Sequence, residues 1–78
     1  MPDNVNHPAH YTQSGIECID AIEAACTDKP GPEAALVAPV IKYLWRYKAK
    51  GSAESLRKAQ WYLNRLADRV ETAEESKR

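Results

Sequence analysis

The sequence contains no phenylalanine, only two cysteines and only one methionine among its 78 residues. So few cysteines exclude a dense disulfide framework as the main support of the fold. The core must therefore be built from aliphatic side chains, two tryptophans and four tyrosines. A chain of this size buries only about 60% of the surface that its unfolded form exposes. We therefore expect one small domain that gains stability by forming a homo-oligomer.

An excess of charge of either sign is also missing, because 11 basic residues balance 11 acidic ones. Broad electrostatic binding to DNA or RNA requires many unopposed cations, so no nucleic-acid partner is expected. No apolar run approaches the roughly 20 residues that span a bilayer. The N-terminus lacks the basic and apolar regions of a signal peptide. The sequence therefore predicts a cytoplasmic protein without a membrane partner.

The two cysteines are eight residues apart on one predicted helix, Cys18 and Cys26. Their separation there is about 12 Å, which is too long for a disulfide. With His7 and His10 they make four potential zinc ligands. The spacing H-x2-H-x7-C-x7-C lacks the close ligand pairs of a structural zinc site. We therefore expect free, half-buried thiols and no metal site.

The N-terminal part of the chain is predicted to be an extended arm followed by a helix. Residues 1–13 have no helical periodicity, and Pro8 disfavours helical geometry at the residue before it. Ser14 and Glu17 match a capping box, which predicts a first helix that starts at Ser14 and covers about residues 16–26. No segment shows the pattern of a strand.

Two longer helices are predicted in the rest of the chain. Pro32 suits the first turn of a second helix over about residues 33–50, which Gly51 ends. Pro39 predicts either a kink in that helix or a helix start at this position. The predicted fold is therefore all-α, a small three-helix domain over residues 14–72.

The third helix is predicted at about residues 53–72, with Ser52 as its cap and a frayed polar tail at residues 73–78. Its apolar residues alternate three and four apart, which is the pattern of a seam for a partner helix. The seam consists of Leu56, Ala59, Leu63, Leu66, Val70 and Ala73.

The second helix also carries a basic row, since Lys42, Arg46 and Lys50 recur every four residues. Tyr43 and Tyr47 form an aromatic row beside it. A guanidinium can hold a phosphate through two parallel hydrogen bonds, and aromatic rings can stack on a base. The same spacing also occurs on ordinary solvated helix faces. The row therefore indicates either a nucleotide site or a solvent-facing surface.

Further residues could complete such a site. Trp61 and Arg65 are four apart on the third helix and could share a ligand. His7 and His10 can bind an anion or take part in acid–base chemistry, and they can equally pack the arm on the helices. No G-x-x-x-x-G-K-[ST] loop is present, which excludes ordinary P-loop phosphate binding.

An acidic row on the first helix has two interpretations, and it consists of Glu17, Asp20 and Glu23. Such carboxylates can hold magnesium together with phosphate oxygens. Acidic rows are also common on exposed helix faces, and no second row on a later helix accompanies this one. A solvated face is the interpretation that the sequence favours.

Four segments of the chain resemble, in the same order, a family of short bacteriophage proteins of unknown function. The segments are residues 6–12 (NHPAHYT), 15–22 (GIECIDAI), 41–47 (IKYLWRY) and 59–63 (AQWYL). They are also similar to part of a phage nucleotide kinase that lacks a P-loop and forms large oligomers. One departure is Ala38-Pro39, where family members often have Gly-Asn, and this departure argues against kinase activity.

The resemblance implies that the arm and the faces of the second and third helices converge on a nucleotide. The ligand-binding residues would be His7, His10, Tyr11, Lys42, Tyr43, Arg46, Trp61 and Arg65. The function implied is sequestration of a nucleotide, such as a host immune signal, by a phage protein that requires no cofactor. The alternatives are a nucleoside monophosphate kinase that uses magnesium and a helical adaptor for protein interactions.

Overall fold

The structure is a computed structural model that describes residues 12–13 and 15–76. Its elements are β1 (Thr12–Gln13), β2 (Ile16–Glu17), α1 (Cys18–Cys26), α2 (Gly31–Arg46) and α3 (Ser52–Ser76). The prediction of an all-α, three-helix domain is therefore confirmed for this part of the chain. The predicted arm up to residue 11 and the predicted cap at Ser14 lie outside the described residues.

A two-residue hairpin precedes the first helix, and the prediction of no strand is wrong here. β1 and β2 pair antiparallel, with Thr12 opposite Glu17 and Gln13 opposite Ile16. Gly15 adopts a φ of 77°, which suits a tight turn and is strained for other residues. Glu17 is consequently extended, and α1 begins one residue later, at Cys18. The predicted helix start at Ser14 is wrong because the glycine turns the chain back.

The second helix is continuous from Gly31 to Arg46, with Pro39 inside it. The alternative in which a helix begins at Pro39 is therefore wrong. α2 also ends four residues before the predicted boundary, because the chain already turns after Arg46. The amide of Lys50 donates to the Arg46 carbonyl at 2.9 Å, and the amide of Ser52 donates to the Tyr47 carbonyl at 3.0 Å.

Gly51 completes this turn with a φ of 85°. The turn reverses the chain, so that α3 packs beside α2, and these two helices share the most extensive contact in the domain. α3 has 25 residues and continues to Ser76, past the predicted end at residue 72. No helix of the described part of the chain is long and apolar enough to cross a membrane.

The core between the helices is thin. Among the described residues, the buried positions are Cys18 of α1, Val40 of α2, and Ser55 and Ala59 of α3. The small side chains at 55 and 59 let the backbones of α2 and α3 approach closely. The Ser55 hydroxyl donates to the Lys50 carbonyl at 2.9 Å, which satisfies the one polar group of this set. The turn and the helix contact are therefore tied together by one side chain.

The predicted seam of α3 is divided in the structure. Ala59 is buried and Leu66 and Val70 are half-buried, whereas Leu56 and Leu63 keep 39% and 51% of their surface exposed. One chain thus covers one edge of the seam and leaves two leucines of the other edge in solvent.

Replacing Gly51 by alanine should destabilise the domain by about 1–3 kcal/mol, the typical cost of a strained backbone conformation. The positive φ disfavours a side chain, and the new Cβ would clash with the Ser55 hydroxyl. Gly31→Ala is the matched control, because a Cβ there has no heavy atom within 4 Å. Urea denaturation of both variants at one protein concentration measures the difference. Equal midpoints for Gly51→Ala and wild type would contradict this account of the turn.

Candidate functional site

The C-terminal half of α2 places two cations around one tyrosine ring. The Arg46 guanidinium carbon lies 4.8 Å from the centroid of the Tyr43 ring, and the Lys42 ammonium lies 5.4 Å from it. Residues three and four apart on a helix are surface neighbours, which explains why Arg46 reaches Tyr43. Both distances fall within the range of cation–π attraction, about 6 Å. Lys42, Tyr43 and Arg46, which were predicted from the sequence as ligand-binding residues, are therefore neighbours in the structure.

Tyr43 also connects α2 to the aromatic residues of α3. Its ring stacks on the Tyr62 ring, with centroids 6.1 Å apart and planes inclined by 15°. Trp61 meets the same Tyr62 ring edge-on, at 5.0 Å and 85°. Offset stacks and edge-to-face pairs are the favoured aromatic geometries. A continuous aromatic row therefore crosses the contact between the two helices.

Two cations of α3 border this row. The Lys58 ammonium lies 5.7 Å from the Tyr43 ring centroid, and the Arg65 guanidinium carbon lies 6.0 Å from the Trp61 ring. Together these side chains form what we call the aromatic–cationic surface. It consists of Lys42, Tyr43, Arg46, Lys58, Trp61, Tyr62 and Arg65.

Three of the cations converge on one ring from two helices, since Lys42, Arg46 and Lys58 all lie within 6 Å of Tyr43. Lys58 also pairs with Glu54 at 3.2 Å, although both side chains are about half exposed or more. An exposed ion pair of this kind contributes only about 0–1 kcal/mol. The Lys58 ammonium can therefore exchange this partner for a more highly charged anion.

The surface combines buried and open parts. Tyr43, Arg46 and Tyr62 are half-buried, which restricts their side chains. Trp61 keeps 59% of its surface exposed although it is one of the largest apolar residues of the chain. An exposed indole next to cations can stack on the base of a flat ligand while the cations bind the phosphate of the same ligand.

Arg65 joins the surface to a groove between the start of α2 and the C-terminal half of α3. The groove is lined by Pro30, Pro32, Glu33, Arg65, Asp68 and Arg69, among others. Its charges alternate in sign, because Glu33 and Asp68 accompany the two arginines. The charges of these four side chains balance, whereas three cations lie around Tyr43 at the other end of the surface.

The sequence predicted five of these residues, and the structure brings Lys42, Tyr43, Arg46, Trp61 and Arg65 onto one surface. His7, His10 and Tyr11 lie outside the described residues, so their predicted approach to the ligand stays a prediction.

Sequence reasoning missed Lys58 and Tyr62 as members of the surface. Both face Tyr43 across the helix contact, and Lys58 precedes Tyr62 by four residues on α3. That spacing shows only that the two share a helix face. It does not show which residue of α2 they meet, so no local signal identified them.

Lys42 also lies near a thiol of α1. Burial raises the pKa of the Cys18 thiol, and the positive charge of Lys42 partly offsets that rise. Cys26 is half-buried and its thiol donates to the Ala34 carbonyl at 3.7 Å. Both thiols are free, as predicted, although Cys18 is fully rather than half buried. Within residues 12–13 and 15–76 no three or more His, Cys, Asp or Glu residues cluster as metal ligands would.

Comparison with protein families gives one match, over residues 5–64, or 60 of the 78 residues. The matched range contains α1, α2, the turn at Gly51 and the aromatic–cationic surface up to Tyr62. The comparisons with curated proteins and with solved structures gave no match. The predicted resemblance to a family of unknown function is thereby confirmed at that level. The chain belongs to the family DUF3310, which is described as proteins of unknown function.

Proposed function

We propose that this protein binds and sequesters a nucleotide on the aromatic–cationic surface. The observation that carries the proposal is the convergence of three cations on the Tyr43 ring, at 4.8–5.7 Å, next to an exposed tryptophan. A nucleotide offers both of the chemical groups that such a surface recognises. Its phosphates carry negative charge for the cations, and its base is a flat ring.

The phosphate contact is assigned to Arg46, Lys42 and Lys58. Arg46 can donate two parallel hydrogen bonds to one phosphate group, which lysine cannot do. Its half-buried position beside Tyr43 limits the rotamer freedom that binding would otherwise remove. The two lysines add charge from α2 and from α3. Their arrangement supports binding of a compact group of several phosphates between the two helices.

The base contact is assigned to Trp61. A base stacked on an aromatic side chain contributes about 1–3 kcal/mol to binding. Tyr62 supports the indole from the edge, with ring centroids 5.0 Å apart. The Arg65 guanidinium carbon lies 6.0 Å from the centroid of the indole and adds a further cation for a second phosphate or for a ribose. His7, His10 and Tyr11 complete the ligand shell in this proposal.

The biological setting that we propose is the cytoplasm of a bacterial cell infected by a phage. Host immune systems that signal with cyclic or ADP-ribose-type nucleotides would be blocked by a protein that holds such a signal without consuming it. The surface supports this role because it has stacking and charge-neutralising groups. Binding by these groups requires no cofactor.

Arg46→Ala should weaken nucleotide binding at least tenfold, because a hydrogen bond to a charged group contributes about 1.5–3 kcal/mol. Isothermal titration calorimetry against mononucleotides, cyclic dinucleotides and ADP-ribose derivatives measures the effect. Arg46→Lys should restore binding only in part, since it keeps the charge and loses the paired donors.

Arg57→Ala is the matched control for this experiment. Arg57 is an exposed arginine of α3 whose guanidinium donates to the Gln60 side chain at 3.0 Å. It does not belong to the aromatic–cationic surface, so its removal should leave affinity within about twofold of wild type. Absence of binding by every nucleotide in the panel, or equal affinity for Arg46→Ala and wild type, would refute the proposal.

The second candidate function is catalysis. A catalyst converts its nucleotide into product, whereas a sequestering protein only binds it. A nucleoside monophosphate kinase would transfer phosphate from ATP, with magnesium held by Glu17 or Asp20 and charge neutralised by Lys42 and Arg46. We expect no product when the protein is incubated with ATP, magnesium and each monophosphate. Anion-exchange chromatography of the mixture detects the diphosphate. Steady formation of diphosphate that Arg46→Ala abolishes would establish the kinase and end the sequestration proposal.

A further inference from the structure

An apolar strip runs along the edge between α2 and α3. Leu44, Leu56 and Leu63 form this strip, and they keep 50%, 39% and 51% of their surface exposed. They line one shallow groove of about 410 Å³ whose floor includes Val40 and Ala59. Contiguous exposed apolar surface of this kind marks an interaction site more often than scattered single residues do.

The strip lies away from the aromatic–cationic surface. Lys58 and Arg65 follow Leu56 and Leu63 by two residues each, which corresponds to a rotation of about 200° around the helix. The leucines and the cations therefore project from opposite sides of α3. A partner seated on the leucines would leave the aromatic–cationic surface open.

The charges at the two ends of the strip have opposite sign. Glu74 follows Leu63 by about three helical turns and Leu56 by about five, so it continues the strip toward the C-terminal end. Glu71 and Glu75 border the same end, together with Ala67 and Val70. Lys48 and Lys50 are exposed in the turn at the other end. The strip thus has an acidic end and an apolar middle bordered by Arg57, and a turn with two exposed lysines lies next to its other end.

We propose that this strip is the contact face of an antiparallel dimer formed with a second copy of the chain. Position 62 is midway between Lys50 and Glu74, so a two-fold axis near Leu63 places each Glu74 beside the partner's Lys50. The two Leu63 side chains then meet near the axis, and each Leu56 lies opposite residues 67–68 of the second copy, where Ala67 offers apolar surface. A parallel arrangement would instead place glutamates beside glutamates and lysines beside lysines. Charge complementarity therefore favours a second copy of the chain as the partner, with its α3 antiparallel to the first.

The length of α3 fits this arrangement. Its 25 residues extend over about 37 Å, against about 24 Å for the 16 residues of α2. The start of α2 shares a groove with α3 up to Thr72 and Ala73. The last residues of α3, among them the exposed Glu74, therefore extend beyond α2 and are open to a second chain. Pairing of two α3 helices would cover Leu56 and Leu63, the part of the seam that one chain leaves exposed. This inference does not depend on nucleotide binding.

Sedimentation equilibrium of the full chain tests the contact face. We expect a mass of 17.4 kDa for wild type, which is twice 8.7 kDa. Leu63→Arg should raise the dimer dissociation constant at least tenfold, because two arginines would meet at the axis. Ile19→Arg is the matched control, since Ile19 of α1 is 53% exposed and lies outside the strip. Circular dichroism checks that both variants keep their helices.

A charge exchange tests the direction of the pairing. Glu74→Lys and Lys50→Glu should each weaken the dimer several-fold at low salt, and the double variant should return to within about twofold of wild type. A wild-type mass of 8.7 kDa at all concentrations, or an unchanged mass for Leu63→Arg, would overturn the proposed face. If the double variant is weaker than either single variant, the antiparallel arrangement is overturned.

Discussion

The close approach of α2 and α3 is the constraint on which the rest of this small domain depends. Ser55 and Ala59 are buried and small, and Ala59 lines the same groove as Val40 of α2. Larger side chains at these positions would separate the two helices. The approach also fixes which residues face each other, so that Tyr43 meets Tyr62 on one side of the contact. The packing of these two small residues therefore determines which side chains meet on the aromatic–cationic surface.

The two sides of that contact have different chemistry. On one side, aromatic rings and cations alternate between the helices, and on the other side leucines stay exposed. Because α3 is long and only a narrow stripe of it is buried, the aromatic–cationic surface and the exposed leucines can both face solvent on different sides of the helix. In this arrangement the proposed ligand and the proposed second copy would occupy opposite sides of the same helix. Binding of one therefore need not displace the other.

Much of the fold could be predicted from the sequence because hydrophobic periodicity and the glycine and proline positions mark helices directly. The errors fall at the ends of helices. The pattern of Ser14 and Glu17 fits a helix cap, but Gly15 between them allows a tight hairpin instead. Gly51 correctly indicates that the chain reverses direction between α2 and α3, but α2 already ends at Arg46. Local spacing does not show where a turn begins when several residues share it.

The candidate site was predictable only within each helix. Lys42, Tyr43 and Arg46 are neighbours by helical spacing alone, and so are Trp61 and Arg65. Lys58 and Tyr62 join them only because of the register between α2 and α3. That register depends on how closely the small residues at 55 and 59 allow the two helices to approach. Single-helix patterns contain no information on that distance.

The Ser55 side chain has a consequence for how the chain can vary. Its hydroxyl donates to the carbonyl of Lys50, and the same oxygen occupies the space that a side chain at position 51 would need. Its burial between the helices also prevents a larger replacement. The residue tolerated at position 51 of the turn therefore depends on the residue at position 55 of the core, and the reverse also holds. Substitutions at these two positions should combine non-additively, as contacting residues typically do.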